Sequence, residues 1–144
     1  MEHALVSITV VTYNSGRYIA RCLDAVFEQE YRPLEVIVVD NASQHDSLSI
    51  LARYKHCIRL IQNDRNTGFA AGQNQAIAAS HGQSVLTPNA DVLVQPGFIG
   101  RLVETGRITS TPRRQYAHVD FSRAVYGRPE RCTPWSCMRA FGQP

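Results

Sequence analysis

No stretch of this 144-residue chain approaches the roughly 20 consecutive apolar residues that a membrane helix needs, so no part of it reads as a membrane span. Met1 to Leu5 lacks the basic start and the apolar run of a signal peptide, and the chain is expected to begin its life in the cytoplasm. Cysteine is sparse: Cys22, Cys57, Cys132 and Cys137 stand at unrelated spacings, which argues against a disulfide scaffold. Cys22 and Cys57 fall inside apolar patterns, where a reduced core thiol is expected. Cys132 and Cys137 have no neighbouring histidine or second pair and so lack the ligand set of a zinc site. No Gly-x-Gly-x-x-Gly follows the first apolar run, which removes a dehydrogenase-type dinucleotide turn. Lysine is nearly absent, with Lys55 alone against fourteen arginines, a bias that reflects codon composition rather than mechanism.

What remains is the composition of a soluble globular domain, 44% hydrophobic and 19% charged, long enough to bury one core. The net charge of +3 conceals an asymmetry. Residues 1–106 hold eight basic and ten acidic side chains, whereas residues 107–144 hold seven and two. That second segment carries four prolines and no sustained period of 2 or 3.6, and is expected to be an irregular basic tail. Arg- and Pro-rich sequence with scattered Cys and Trp is also what an out-of-frame or truncated ending would produce. Clustered arginines can neutralise phosphates, but no aromatic platform or nucleic-acid module accompanies them, and no nucleic-acid partner is expected.

Leu5 to Thr12 is a β-branched apolar run closed by Tyr13-Asn14-Ser15-Gly16, which predicts a buried strand and a turn. Ile19, Cys22, Leu23, Val26 and Phe27 then recur at helical intervals, with Asn14 or Ser15 available as N-cap, until Pro33 breaks the pattern. Leu34 to Asp40 predicts a second buried strand, followed by Asn41-Ala42-Ser43 and a short helix through Leu48, Leu51, Ala52 and Tyr54. Ile58 to Gln62 predicts a third strand. After a loop over Asn63 to Gly68, Phe69 to Ser80 has helical spacing that Gly72 weakens. Ser84 to Thr87 predicts a fourth strand, and Phe98, Leu102 and Val103 a last helix. Strands alternating with helices predict an α/β fold with a mostly parallel sheet flanked by helices. In such sheets ligands gather at the carboxyl ends of the strands, where Thr12-Tyr13-Asn14, Asp40-Asn41 and Asn89-Ala90-Asp91 would face one crevice.

Taken from the residues alone, Asp40 is more readily a turn former than a functional carboxylate, Asn14 a cap, Gly68 a permissive φ position and Arg65 an exposed surface charge. Four blocks change that weighting: VSITVVTYNSGRYIARCLDAV, LEVIVVDNAS, NDRNTGFAAGQNQAI and VLTPNADVLVQPGF. Together, over about residues 5–104, they resemble the successive signature blocks of family 2 glycosyltransferases, most of all the bacterial rhamnosyltransferase-like branch. The resemblance implies the GT-A, nucleotide-diphospho-sugar transferase-like fold, of which residues 1–106 would be the donor-binding half and the acceptor half would be missing. It implies a UDP- or dTDP-sugar donor, a saccharide or lipid-linked acceptor, inversion, and peripheral association with the inner face of the membrane.

By resemblance the donor is bound by Thr12, Tyr13, Asn14, Asp40, Asn66, Gly68, Asn74, Asn89 and Asp91. A carboxylate at Asp40 can accept the imide N–H of uracil or thymine, which cytosine lacks. The loop entering the helix at Gly68 offers free N–H groups and the positive dipole end to an anion. Asn89-Ala90-Asp91 stands in place of the family's Asp-x-Asp motif, with Asn in the first position. Asp91 is thus the expected ligand of Mg²⁺ or Mn²⁺, which need few protein ligands when phosphate oxygens are present. No catalytic base is legible, since Asp120 and Glu130 lie in contexts unlike the family's. A fragment that binds nucleotide sugar without turnover is the alternative.

Overall fold

A computed structural model of the chain describes residues 3–105 and 115–119. Strands β1 (Val6–Thr12), β2 (Leu34–Asp40), β3 (Arg59–Gln62), β4 (Ser84–Pro88) and β5 (Gln115–Val119) form one parallel sheet in the order β3-β2-β1-β4-β5. Helices α1 (Gly16–Phe27), α2 (Ser47–Leu51, continued by a 3₁₀ turn at Ala52–Tyr54), α3 (Phe69–Ala79) and α4 (Phe98–Thr105) connect or follow them. β1 and β2 pair over their whole length, from Val6 opposite Leu34 to Thr12 opposite Asp40.

β1 lies in the middle, and all seven of its residues are buried, because its two faces meet different layers. Successive strand side chains point to opposite faces. Val6, Ile8 and Val10 therefore join Val36, Val38 and Leu86 against Ile19, Leu23 and Val26 of α1, Leu51 of α2 and Ile99 of α4. Val11, Ile37 and Val39 meet Ala76 of α3 on the other side. Each such aliphatic side chain contributes about 1.5–3 kcal/mol on burial. The glycine that weakens α3 as a helix is what lets it lie close to the sheet. A Cβ on Gly72 would stand 3.0 Å from Val11 Cγ1 and 3.2 Å from the Asn41 side-chain nitrogen.

Buried polar side chains join the layers. Gln29, 2% exposed after the end of α1, donates to the carbonyls of Ala25 (3.1 Å) and Gln95 (2.9 Å) and accepts from Ile99 N–H (3.1 Å), fixing the start of α4. At the amino ends of the strands, Glu35 accepts hydrogen bonds from the Ser7 hydroxyl and the backbone N–H groups of His81 and Gly82. Its carboxylate also lies 3.2 Å from His81 Nδ1. Partial burial would raise the Glu35 pKa, but these donors outweigh it and hold the pKa below its ordinary 4.5. The stabilisation is therefore complete above the ordinary carboxylate range and is lost as pH falls through the depressed pKa. Glu35→Gln should cost about 1 kcal/mol at neutral pH, limited by partial exposure. Urea titrations at several pH values should show that deficit shrinking in acid; a deficit constant with pH would contradict the assignment.

Several expectations need correction. Cys22 is buried, but Cys57 is exposed in the turn before β3, so only the first is a core thiol. The third strand starts at Arg59, one residue later than expected. Neither proposed N-cap acts through its side chain on α1: the Ser15 hydroxyl donates to the Tyr13 carbonyl (3.1 Å), and the Asn14 oxygen accepts from Gln44 N–H (2.9 Å). Within the segment expected to be an irregular tail, β5 extends the sheet beside β4, from Gln115 opposite Ser84 to Val119 opposite Pro88. The remainder of that tail, with Cys132 and Cys137, lies outside the described residues.

Candidate functional site

Because the strands are parallel, Thr12, Asp40 and Pro88 finish at one edge of the sheet. The chain moves from β1 to β2 and β3 on one side, then returns to place β4 on the other, so its direction reverses between β1 and β4. Crossovers leaving in opposite directions part the loops above two neighbouring strands and open a crevice. A cavity of about 640 Å³ lies there, within the range of small-molecule sites. Val11, Tyr13, Asn14, Ser15 and Tyr18 line it from the β1–α1 side, Phe69 from the start of α3, and Asn89, Ala90 and Asp91 from the loop after β4.

Three aromatic rings around this cleft are unusually open, Tyr13 and Tyr18 at 47% and Phe69 at 42% exposure. Large exposed rings converging on a concavity offer faces for stacking a planar base. The turn holding Tyr13 is set by its neighbour: Asn14 has φ of 49°, a left-handed conformation that asparagine tolerates. It is then tied to the β2 loop, since Asn14 N–H donates to Ser43 Oγ (2.9 Å) while Asn14 Oδ1 accepts from Gln44 N–H (2.9 Å). Thr12 is buried beneath, and its hydroxyl has no hydrogen-bond partner among the described residues.

Asp40 reaches the same edge but does not line the cavity. Buried to 1% exposure, its carboxylate accepts from Ser43 N–H at 2.9 Å and from Ser43 Oγ at 2.5 Å. One hydroxyl thereby links the Asp40 carboxylate to Asn14. Ala42, between Asn41 and Ser43, has φ of 63°, a conformation that costs a non-glycine residue on the order of 1 kcal/mol and is held by the surrounding hydrogen bonds.

The loop before α3 folds on itself. Asn66 Oδ1 accepts from Gly68 N–H (2.9 Å), and Gly68 takes φ of 87°, which turns the chain into the helix and presents Phe69 to the cleft. Asn66 and Gly68 themselves are exposed outside the cavity lining, as is Asn74, one turn into α3. Of the nine residues expected from sequence, the structure brings Tyr13, Asn14, Asn89 and Asp91 to the cavity wall, with Thr12 and Asp40 buried at the strand ends behind it. Tyr18 and Phe69 were not anticipated. For Tyr18 the signal was its place in the first turn of α1, off the face formed by Ile19, Cys22, Leu23 and Val26.

Asp91 is exposed and is the cavity's carboxylate, beside half-buried Asn89. Beneath them, Cys22 Sγ donates to the Asn89 carbonyl at 3.7 Å. Burial, and then the negative charge of Asp91, push the Cys22 thiol up to about 12, so it stays protonated at neutral pH. No group of three or more His, Cys, Asp or Glu side chains converges among the described residues. Those residues alone form no all-protein cage for a metal. One open carboxylate fits a hard divalent cation that takes its other ligands from water and phosphate oxygens.

Over residues 7–107 the sequence matches Glycosyl transferase family 2. The succinoglycan biosynthesis protein ExoO of Rhizobium meliloti (strain 1021) is 32% identical over 100 residues, covering 69% of this chain and 29% of ExoO. S. aureus TarS 1-349, solved in complex with UDP-GlcNAc, has a TM-score of 0.64 and 26% identity over 69% of this chain and 31% of its own. Mannosyltransferase PcManGT from Pyrobaculum calidifontis, in complex with GDP-Man and Mn²⁺, has a TM-score of 0.64 and 30% identity over 74% of this chain and 32% of its own. The chain spans about a third of the length of the curated relatives it matches. Its parallel sheet with flanking helices is the GT-A arrangement of these structural neighbours. With that sheet in common and the sequence match running across more than half its length, the chain belongs to glycosyl transferase family 2.

Proposed function

We propose that residues 1–106 are the donor side of an inverting glycosyltransferase that takes a hexosyl or deoxyhexosyl group from a UDP- or dTDP-sugar. The observation that carries this reading is the cleft between β1 and β4, where open aromatic rings and one free-standing carboxylate face the same space. Tyr13, Tyr18 and Phe69 offer faces to the nucleoside. Asp40, with Ser43 orienting its carboxylate, accepts the imide N–H of uracil or thymine. Asn66, Gly68 and Asn74 border the donor from the α3 side, and Asn89 contacts the ribose. Asp91 would hold Mg²⁺ or Mn²⁺, which when bound counters charge developing on the departing diphosphate. ExoO, a succinoglycan biosynthesis protein, supports polysaccharide assembly as the setting. The acceptor proposed is a saccharide or a lipid-linked one, and the place of work the cytoplasm at the inner face of the membrane.

Calorimetry with UDP, dTDP, GDP and CDP, each with and without Mn²⁺, tests the donor side. UDP and dTDP should bind best and more tightly with metal; failure of all four to bind overturns the reading. GDP is included because PcManGT is complexed with GDP-Man. Asp40→Ala should weaken UDP and dTDP about tenfold, as the loss of a hydrogen bond to a charged group does, with less effect on CDP. Equal weakening of all bases would show that Asp40 acts only on the turn.

A second reading, binding without turnover, is favoured by the cleft having one carboxylate, Asp91, among the described residues that line it, since inversion needs a base within reach of the acceptor hydroxyl. Release of sugar from UDP- or dTDP-sugars under the same conditions separates the two.

A further inference from the structure

Asn41 does not touch the cavity, yet it is the side chain on which the α3 wall rests. It is 2% exposed, and every polar atom of its amide is used. Asn41 Nδ2 donates to the Gly68 carbonyl (3.0 Å), while Oδ1 accepts from Asn63 Nδ2 (2.8 Å) and Thr67 Oγ1 (3.1 Å). Its backbone N–H donates to the Thr12 carbonyl (2.9 Å), which fixes the amide to the end of β1. Asn63 is braced in turn by a reciprocal amide pair with Gln75 of α3, at 2.8 and 3.0 Å. Asn41 thus joins the end of β1, which leads into Tyr13, to Asn63, Thr67 and Gly68 of the loop that leads into Phe69.

We propose that Asn41 is a positioning residue that sets the distance and tilt of Phe69 across the cleft, and hence nucleoside affinity, through its bond to the Gly68 carbonyl. This rests on the donor-site reading for its ligand but not for its geometry. Both an acceptor and a donor are required at this position, which an amide supplies and a carboxylate does not. Asn41→Asp therefore keeps the bonds from Asn63 and Thr67, deletes the one to Gly68, and sets two acceptor oxygens against each other.

The test uses the intact chain. Amide exchange should quicken at residues 66–72 in Asn41→Asp while β1 and β2 keep their protection; unchanged exchange at 66–72 overturns the proposal whether or not nucleotide binds. UDP affinity with Mn²⁺ should fall about tenfold, as expected when a buried hydrogen bond is broken. In a double-mutant cycle with Phe69→Ala the losses should not add, because both remove the same wall; additive losses mean that Asn41 does not act through Phe69 and refute the proposal. Should Asn41→Asp fold poorly, Thr67→Val removes one donor from an exposed residue. It should give a smaller loss that is likewise non-additive with Phe69→Ala; additivity there again refutes it. Loss of UDP binding in the unaltered chain would defeat the donor-site reading and leave the exchange result to decide this one.

Discussion

Asp91→Ala should erase the gain in UDP or dTDP affinity that Mn²⁺ confers while leaving the fold intact. The carboxylate is exposed on a loop and lies in neither hydrophobic cluster, so its removal should change unfolding free energy by no more than about 0.5 kcal/mol. Its effect on metal-assisted binding should be large, about a hundredfold, since even an outer partner of a metal site costs 10–100-fold when lost. With no cluster of acidic ligands among the described residues to take over, substitution leaves water and phosphate as the metal's partners. Titrations of the variant with and without Mn²⁺ decide the matter. Metal dependence equal to that of the unaltered chain would remove Asp91 from the site.

Gln29→Ala should produce the largest loss of stability from a polar side chain, about 2–3 kcal/mol. The Gln95 carbonyl would keep its bond from Phe98 N–H, but Ile99 N–H would lose its Gln29 partner in a buried setting. That penalty adds to the void left by a 2%-exposed side chain. Urea unfolding should show a lower midpoint with an unchanged slope. The variant should also weaken metal-dependent UDP binding below its unfolding transition, because Gln95 anchors the far end of the loop that presents Asp91. A midpoint shift without any change in binding would confine Gln29 to packing.

The architecture was legible where burial on both faces leaves a simple pattern. β1 and β2 read directly from VSITVVT and LEVIVVD because a parallel strand between two helical layers has no solvent side to alternate with. α1 read from Ile19, Cys22, Leu23 and Val26, which are its buried face. The misses have physical causes. β5 contains QYAHV, a short mixed strand at the end of the sheet order, in a segment where no period announced it. Cys57 resembles a core residue by its apolar neighbours, yet lies in the turn where only Ile58 points inward.

At the cleft, sequence identified the polar loops but not their division of labour. Asn41 reads as a turn residue because its partners lie 22 to 27 positions away and no local pattern joins them. Tyr18 and Phe69 read as helix residues, and only the fold reveals that both face the same opening. Asp40 shows the turn-forming role in its bonds from Ser43, while its contact with a pyrimidine belongs to the proposed function.

The return of the chain across β1 carries a consequence for assembly. Residues 6–62 can pair β1, β2 and β3 among themselves, yet the opening between β1 and β4 has only one bank until Ser84–Pro88 docks. On the proposed donor-site reading, a nucleotide lodged there would clasp positions near 13 to positions near 91, and so would bind the completed sheet in preference to any earlier stage. By mass action it would then act as a clamp on the longest-range pairing of β1, disfavouring every opening that separates the two banks.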